Sequence, residues 1–163
     1  MSKLDALTTH IRTHLPERIA QVEFTSAMDE VGFIKAERDL GRDHYQLAVM
    51  VCEVTLAWGR FPYREYDPCN LCALLLTWQI EHACDDLMVP GLPQVPPDIA
   101  IVLNEASAVV EVSMTLHEPL IIAMDAHGDI PFDGKHWRLA EPSIWWATDL
   151  PVITTTRAPH DED

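Results

Sequence analysis

The stretch "DPCNLCALLLTWQIEHACDD", from Asp67 to Asp86, opens with Cys-x-x-Cys and then supplies His82 and Cys84. These are the residue types of a zinc knuckle or a thiol redox centre. Asp67 can cap a helix, Pro68 can fill its first position, and no breaker follows until Pro90, so the segment reads as one helix from about 68 to about 86. Each helical residue rises ~1.5 Å, which sets Cys72 and His82 ~15 Å apart along the axis. One zinc ion with bonds of about 2.0–2.3 Å cannot join them. A redox pair does belong at a helix N-terminus, where the dipole favours thiolate, and Cys69 and Cys72 meet that condition. Asp67 works against it by placing negative charge beside the thiol. The competing reading is a structural cysteine pair.

Other chemistry finds less support. His10 and His14 have the helical spacing of a metalloprotease pair, but Ile11 stands where that motif needs glutamate. The six glycines, at 32, 41, 59, 91, 128 and 134, form neither a dinucleotide fingerprint nor a phosphate loop. There is no Gly-x-Ser-x-Gly elbow. Asp85 and Asp86 read as solvated carboxylates at a helix end. The expectation is a protein with no catalytic residues, no bound cofactor and no metal.

The elements around these residues point to an α+β chain. Leu4, Leu7, Ile11 and Leu15 recur at helical spacing, with Ser2 available as N-cap and Pro16 as a stop. Ala20, Val22 and Phe24 alternate over 19–25 and predict a strand; a second is predicted over about Val31–Arg38. After a turn at Leu40–Asp43, "HYQLAVMVCEVTLAW" alternates with both faces largely apolar, as in a central strand covered on both sides. In the helix that follows, Leu71, Leu74, Leu75 and Trp78 share one side while Cys72, Leu76, Ile80 and Ala83 occupy others. Apolar positions over so much of the circumference predict burial on two sides, by the sheet and by a neighbour. The proline-rich "MVPGLPQVPPD" then excludes helix and central strand. Alternation resumes at Ile99–Leu103 and Val110–Leu116, a separate run covers Leu120–Met124, and "KHWRLAE" reads as a last strand after the loop "DAHGDIPFDG".

At 163 residues and 18.4 kDa the chain fits one domain, predicted over 1–142, with a C-terminal extension over 143–163 that carries Trp145 and Trp146. The fold expected is α+β, a mostly antiparallel mixed sheet with two main helices packed on it. No apolar run is long enough for a membrane helix and the first residues lack a signal-peptide pattern, so a soluble, non-exported protein with reduced cysteines is expected. Eleven Lys and Arg against 26 Asp and Glu give a formal charge of −15, which disfavours tight binding to a nucleic-acid backbone.

The segments "YQLAVMV", "CALLLTWQ", "VVEVSMTLHEPLII" and "DGKHWRLAEP" follow one another between Tyr45 and Pro142. In order and spacing they resemble the tail completion proteins of contractile-tailed, peduovirus-type bacteriophages. The resemblance implies a tail-terminator-like fold and a structural role in the virion tail, with no catalytic residues. It also implies a homo-oligomer, a hexameric ring, that caps the tail tube and sheath. Its partners would be tube, sheath and head–tail connector proteins, with no membrane and with DNA only passing through the lumen. Assembly would take place in the host cytoplasm. The candidate surface for a neighbouring subunit or partner is Leu71, Leu74, Leu75 and Trp78, together with Trp145 and Trp146. The rival readings are another head–tail joining or tail-assembly protein, and a thiol redox protein using Cys69 and Cys72.

Overall fold

A computed structural model of the chain describes residues 2–20, 22–82, 92 and 94–140. Helix α1 spans Lys3–His14. Its start is a reciprocal cap in which Ser2 Oγ accepts from Asp5 N–H at 3.1 Å and Asp5 Oδ2 accepts from Ser2 N–H at 3.2 Å. Leu4, Leu7 and Ile11 turn inward along one stripe. Pro16 ends α1 but does not end helical structure: its carbonyl accepts from Ile19 and Ala20 N–H, and Glu17–Ala20 forms a short helix, α2. The strand predicted over 19–25 is therefore displaced, and extended pairing begins only at Phe24. Burial of Ile19 and Ala20 beside α1 outweighs the short alternation that suggested a strand.

The two strands read before the turn become one, β1, which runs over Phe24–Gly41 and pairs antiparallel with β2, His44–Phe61. The register shifts between Met28 and Glu30 and again between Lys35 and Arg38, which is why a strict two-residue alternation breaks up in the sequence. Arg42 and Asp43 join the strands at φ 52° and 61°, the twisted two-residue turn of a hairpin.

Helix α3 covers Pro68–Glu81, as its Asp67 cap and first-position proline predict. Beyond it, β3 (Asp98–Leu103) and β4 (Ala108–Met124) form a hairpin, followed by β5 (Ile130–Phe132) and β6 (Lys135–Leu139). The last two meet at Asp133 and Gly134, with φ 50° and 69°. Sequence reading placed β5 in a loop, and its three residues are too few for periodicity to register. The sheet is six-stranded in the order β1-β2-β4-β6-β5, with β3 also on β4, and every described pair is antiparallel. The architecture is α+β.

Strand β4 organises the sheet. One of its edges pairs with β2 along most of its length, while the other takes β3 at residues 108–113 and β6 at 122–124. The run Leu120–Met124 belongs to this same strand and passes through Pro119. Ala140 N–H donates to Ile121 C=O at 3.0 Å, so alternation turns the backbone of Pro119 to the β6 side, where no described strand pairs. A missing N–H there leaves no ladder bond unmade.

The helices cover one face of the sheet. Leu7, Ile11, Ile19, Leu71, Leu75 and Trp78 join Met50, Cys52, Val54, Leu56 and Trp58 of β2 and the even-numbered residues from Ala108 to Leu116 of β4 in one cluster. Each such large apolar side chain contributes about 1.5–3 kcal/mol on burial. Phe24, Trp58, Phe61 and Tyr66 form a chain of ring contacts with neighbouring centroids 4.8, 6.4 and 6.1 Å apart. No described helix lies over the opposite face, where Val51, Thr55 and Ala57 are half-buried. Val49 on that face is fully buried, so the outer side of β2 is closed at this position and only half-covered at Val51, Thr55 and Ala57.

Candidate functional site

On α3 the apolar surplus resolves into two stripes. Leu71, Leu75 and Trp78 are buried in the chain's own core and Leu74 packs half-buried against it. These four side chains, which the sequence nominated for a neighbour, pack into or against the core of their own chain. The outward stripe consists of Cys69, Ala73, Leu76 and Ile80, with Leu76 41% and Ile80 71% exposed. Helical periodicity reveals that two sides are apolar, but burial depends on which stripe the sheet meets first. Trp145 and Trp146, together with the extension 143–163, lie outside the described residues.

Neither Cys69 nor Cys52 is set up as a nucleophile. Cys69 is exposed, and a hydrogen bond to the Asp67 side chain together with that carboxylate's charge raises its thiol above the ordinary range. A reactive thiolate needs the opposite shift. Asp67 is held at this position because its Oδ1 accepts from Cys69 N–H at 2.9 Å as the helix cap. Burial, aided by Glu118 and Glu53, pushes the Cys52 thiol up to about 11.

The histidines of α1 are in tilted ring contact, with centroids 4.2 Å apart, and burial, His14 and His82 hold His10 below the usual imidazole value. His82 stacks on Trp78 at 4.5 Å. Among the described residues no three His, Cys, Asp or Glu side chains are grouped so as to hold a metal ion. No described helix is long and apolar enough to cross a membrane.

Glu118 is the one carboxylate buried in the described structure. Burial raises its pKa, and it accepts from the backbone N–H of Lys3, tying the start of α1 to the middle of β4. This is an internal fastening. A cleft of about 550 Å³ lies between the β1–β2 turn and β6 and is walled by Leu40, Ile121, Ala123 and Ala140 with Arg42, His44 and Arg138. Arg138 is engaged by Asp125 at 3.3 Å.

What the surface does offer is apolar sheet edge. Val102 and Leu103 of β3 are 61% and 62% exposed, with Ile101 and Val109 beside them, and Phe33 of β1 is 63% exposed. No motif marks these residues; the available signal was "DIAIVL" itself, a strand with no polar face and only one charge.

Comparison with known proteins supplies the context for these edges. The sequence profile of the family "P2 phage tail completion protein R (GpR)" matches residues 1–142. The chain is also 22% identical over 156 residues to the "uncharacterized 19.2 kDa protein in rep-hol intergenic region" of Haemophilus phage HP1 (strain HP1c1). That match covers 94% of this chain and 91% of the relative. No solved structure matches.

Proposed function

As the chain belongs to the P2 phage tail completion protein R (GpR) family, we propose that it is a structural protein that terminates the phage tail as a homo-oligomeric ring. The family match over residues 1–142 carries this reading. In it, six copies of a tail-terminator-like fold sit on the last layer of tube and sheath of a contractile tail and present a surface to the head connector. The mechanism is geometric: one ring face matches the last layer, and once seated it halts stacking. The side chains have no chemical step to perform, in keeping with the raised Cys69 thiol. The formal charge of −15 suits a lumen through which DNA passes without adhering, since phosphates find few cations against which to release counterions.

Deleting the gene from the phage or prophage that carries it tests the reading. Electron microscopy should then find headless tails, with tubes of irregular or excess length, and complementation should restore joined particles. Tails of normal length still joined to heads would exclude a terminating role. Normal tails that fail to join heads would favour a head–tail joining protein.

A further inference from the structure

The geometry points to a specific subunit contact: the uncharged start of β1, residues 24–28, pairs along its outer edge with residues 98–101 at the outer edge of β3 in the next copy. The inference rests on the ring reading and gives it an interface.

The two stretches lie on opposite sides of one sheet, and neither has a strand on its outer side among the described residues. They also lie at the same height. Ile101 pairs with Val110, Val110 with Trp58 and Trp58 with Phe24, so these four residues make one row from edge to edge. Ala100, Glu111, Ala57 and Thr25 make the next row, then Ile99, Val112, Leu56 and Ser26, then Asp98, Ser113, Thr55 and Ala27. A rotation about an axis along the strands keeps every row at its own height, and so carries Ile101 of one copy to Phe24 of the next and Ile99 to Ser26. Such an operation has no rise along the axis, the condition under which a contact between two different edges closes into a ring. An unpaired strand edge is a template for a further strand, and here the same chain supplies both edges.

Direction, hydrogen bonding and facing agree. Strand β1 runs with β4, because each is antiparallel to β2, and β3 runs against β4, so β3 meets the neighbour's β1 antiparallel, the sense of every other described pair. Glu23 C=O accepts from Gly59 N–H at 3.2 Å, so alternation turns the backbones of Phe24 and Ser26 away from β2. Asn104 N–H donates to Ser107 C=O at 2.8 Å, which likewise turns Ile99 and Ile101 away from β4. The rows therefore set outward backbone against outward backbone, and none of these four residues is proline. Their side chains share the helix-covered face with Trp58, Leu56, Val110 and Val112 of the same rows. On that face a cleft of about 420 Å³, lined by Arg12, Glu17, Ala20 and Phe24, adjoins the receiving edge, and Ile101, exposed in the single chain, is covered there. Asp98, the one charge in β3, meets Ala27; farther along β1, Asp29, Glu30, Glu37 and Asp39 and the register shifts defend the edge. On the opposite face these rows carry Glu111 and Asp98 among Thr, Ser and Ala with no Lys or Arg, which suits the lumen of a ring whose helices lie outside.

Disulfide trapping tests this in tails assembled from complemented phage, using a chain carrying Cys69→Ser, Cys72→Ser and Cys84→Ser. Within one copy β2 and β4 separate Thr25 from Ala100 by about 14 Å, at ~4.8 Å per strand, so a disulfide between these positions joins two copies. The double variant Thr25→Cys/Ala100→Cys should give, on oxidation, a ladder of dimer, trimer and larger species, while each single variant stays monomeric. Ala27→Cys/Asp98→Cys, two rows along on the same face, should do the same and reads the contact if the first variant is missing from tails. Dimers from Ala100→Cys alone would overturn the proposal in favour of a two-fold β3 contact. Absence of cross-links from both pairs, in tails that contain the protein, would overturn it as well. Counting copies per tail in the same particles separates the outcomes: several copies without cross-links refute this contact only, whereas a single copy refutes the ring.

Discussion

Adjacent leucines on α3 allow a sharp test of which way the helix faces. Leu75 is fully buried and Leu76 is 41% exposed, although their side chains are chemically identical. Leu75→Ala removes three buried carbons and leaves a void among Leu71, Trp78 and the sheet, for which core leucines lose about 2–5 kcal/mol. Taking about 3 kcal/mol, and ~2–4 °C per kcal/mol for a chain of this size, the thermal midpoint should fall by about 6–12 °C. Leu76→Ala gives up only partly buried surface, makes no closed cavity and gains slightly in helix propensity, so its cost should be about 0.5 kcal/mol or less. Circular dichroism melts at two protein concentrations separate intrinsic stability from assembly. Equal losses for the two variants, or the larger loss at Leu76, would refute the inward assignment of the Leu71–Leu75–Trp78 stripe.

Further predictions concern titration, thiol chemistry and the extension. Burial raises the pKa of Glu118, so the folded chain keeps that proton to higher pH than the unfolded chain. Its contribution to stability should fall as pH rises from the ordinary carboxylate value through the folded one, and Glu118→Gln, which retains an acceptor for Lys3 N–H, should flatten urea midpoints there; an unchanged slope would contradict the assignment. Cys69 should react with a disulfide reagent more slowly than free cysteine at neutral pH. Asp67→Asn should speed that reaction while keeping the cap, whereas Asp67→Ala should also cost about 1 kcal/mol of stability; a fast wild-type thiol would revive the redox reading. A chain ending at Pro142 should melt within ~2 °C of full length, and a larger loss would place Trp145 and Trp146 in the core.

Much of this fold can be read from side-chain order, and the exceptions have physical causes. Ser2 and Asp5, and Asp67 with Pro68, announce their helices because capping is local chemistry. The alternation at Ala108–Leu116 announces a half-buried strand because one face meets the helices. Long-range geometry is less legible. Pro119 reads as a break until the unpaired edge of β4 is known, and Ala20 and Val22 read as strand until Pro16 is seen to start a helical turn. The candidate surface shows the same limit. An all-round apolar helix declares a surplus without saying which stripe the sheet takes, so Leu71, Leu74, Leu75 and Trp78 drew attention while Leu76, Ile80 and the β3 edge carry the exposed surface.

The proposed role is positional, a ring of this protein at the head-proximal end of the tail. Gold-labelled antibody against a short epitope tag on the chain, viewed on purified intact particles by electron microscopy, measures that position directly. Label should be confined to the junction between head and tail, and in detached tails to the end that would meet the head. Label at the baseplate end, along the sheath, or absent from particles that contain every other tail protein would contradict it.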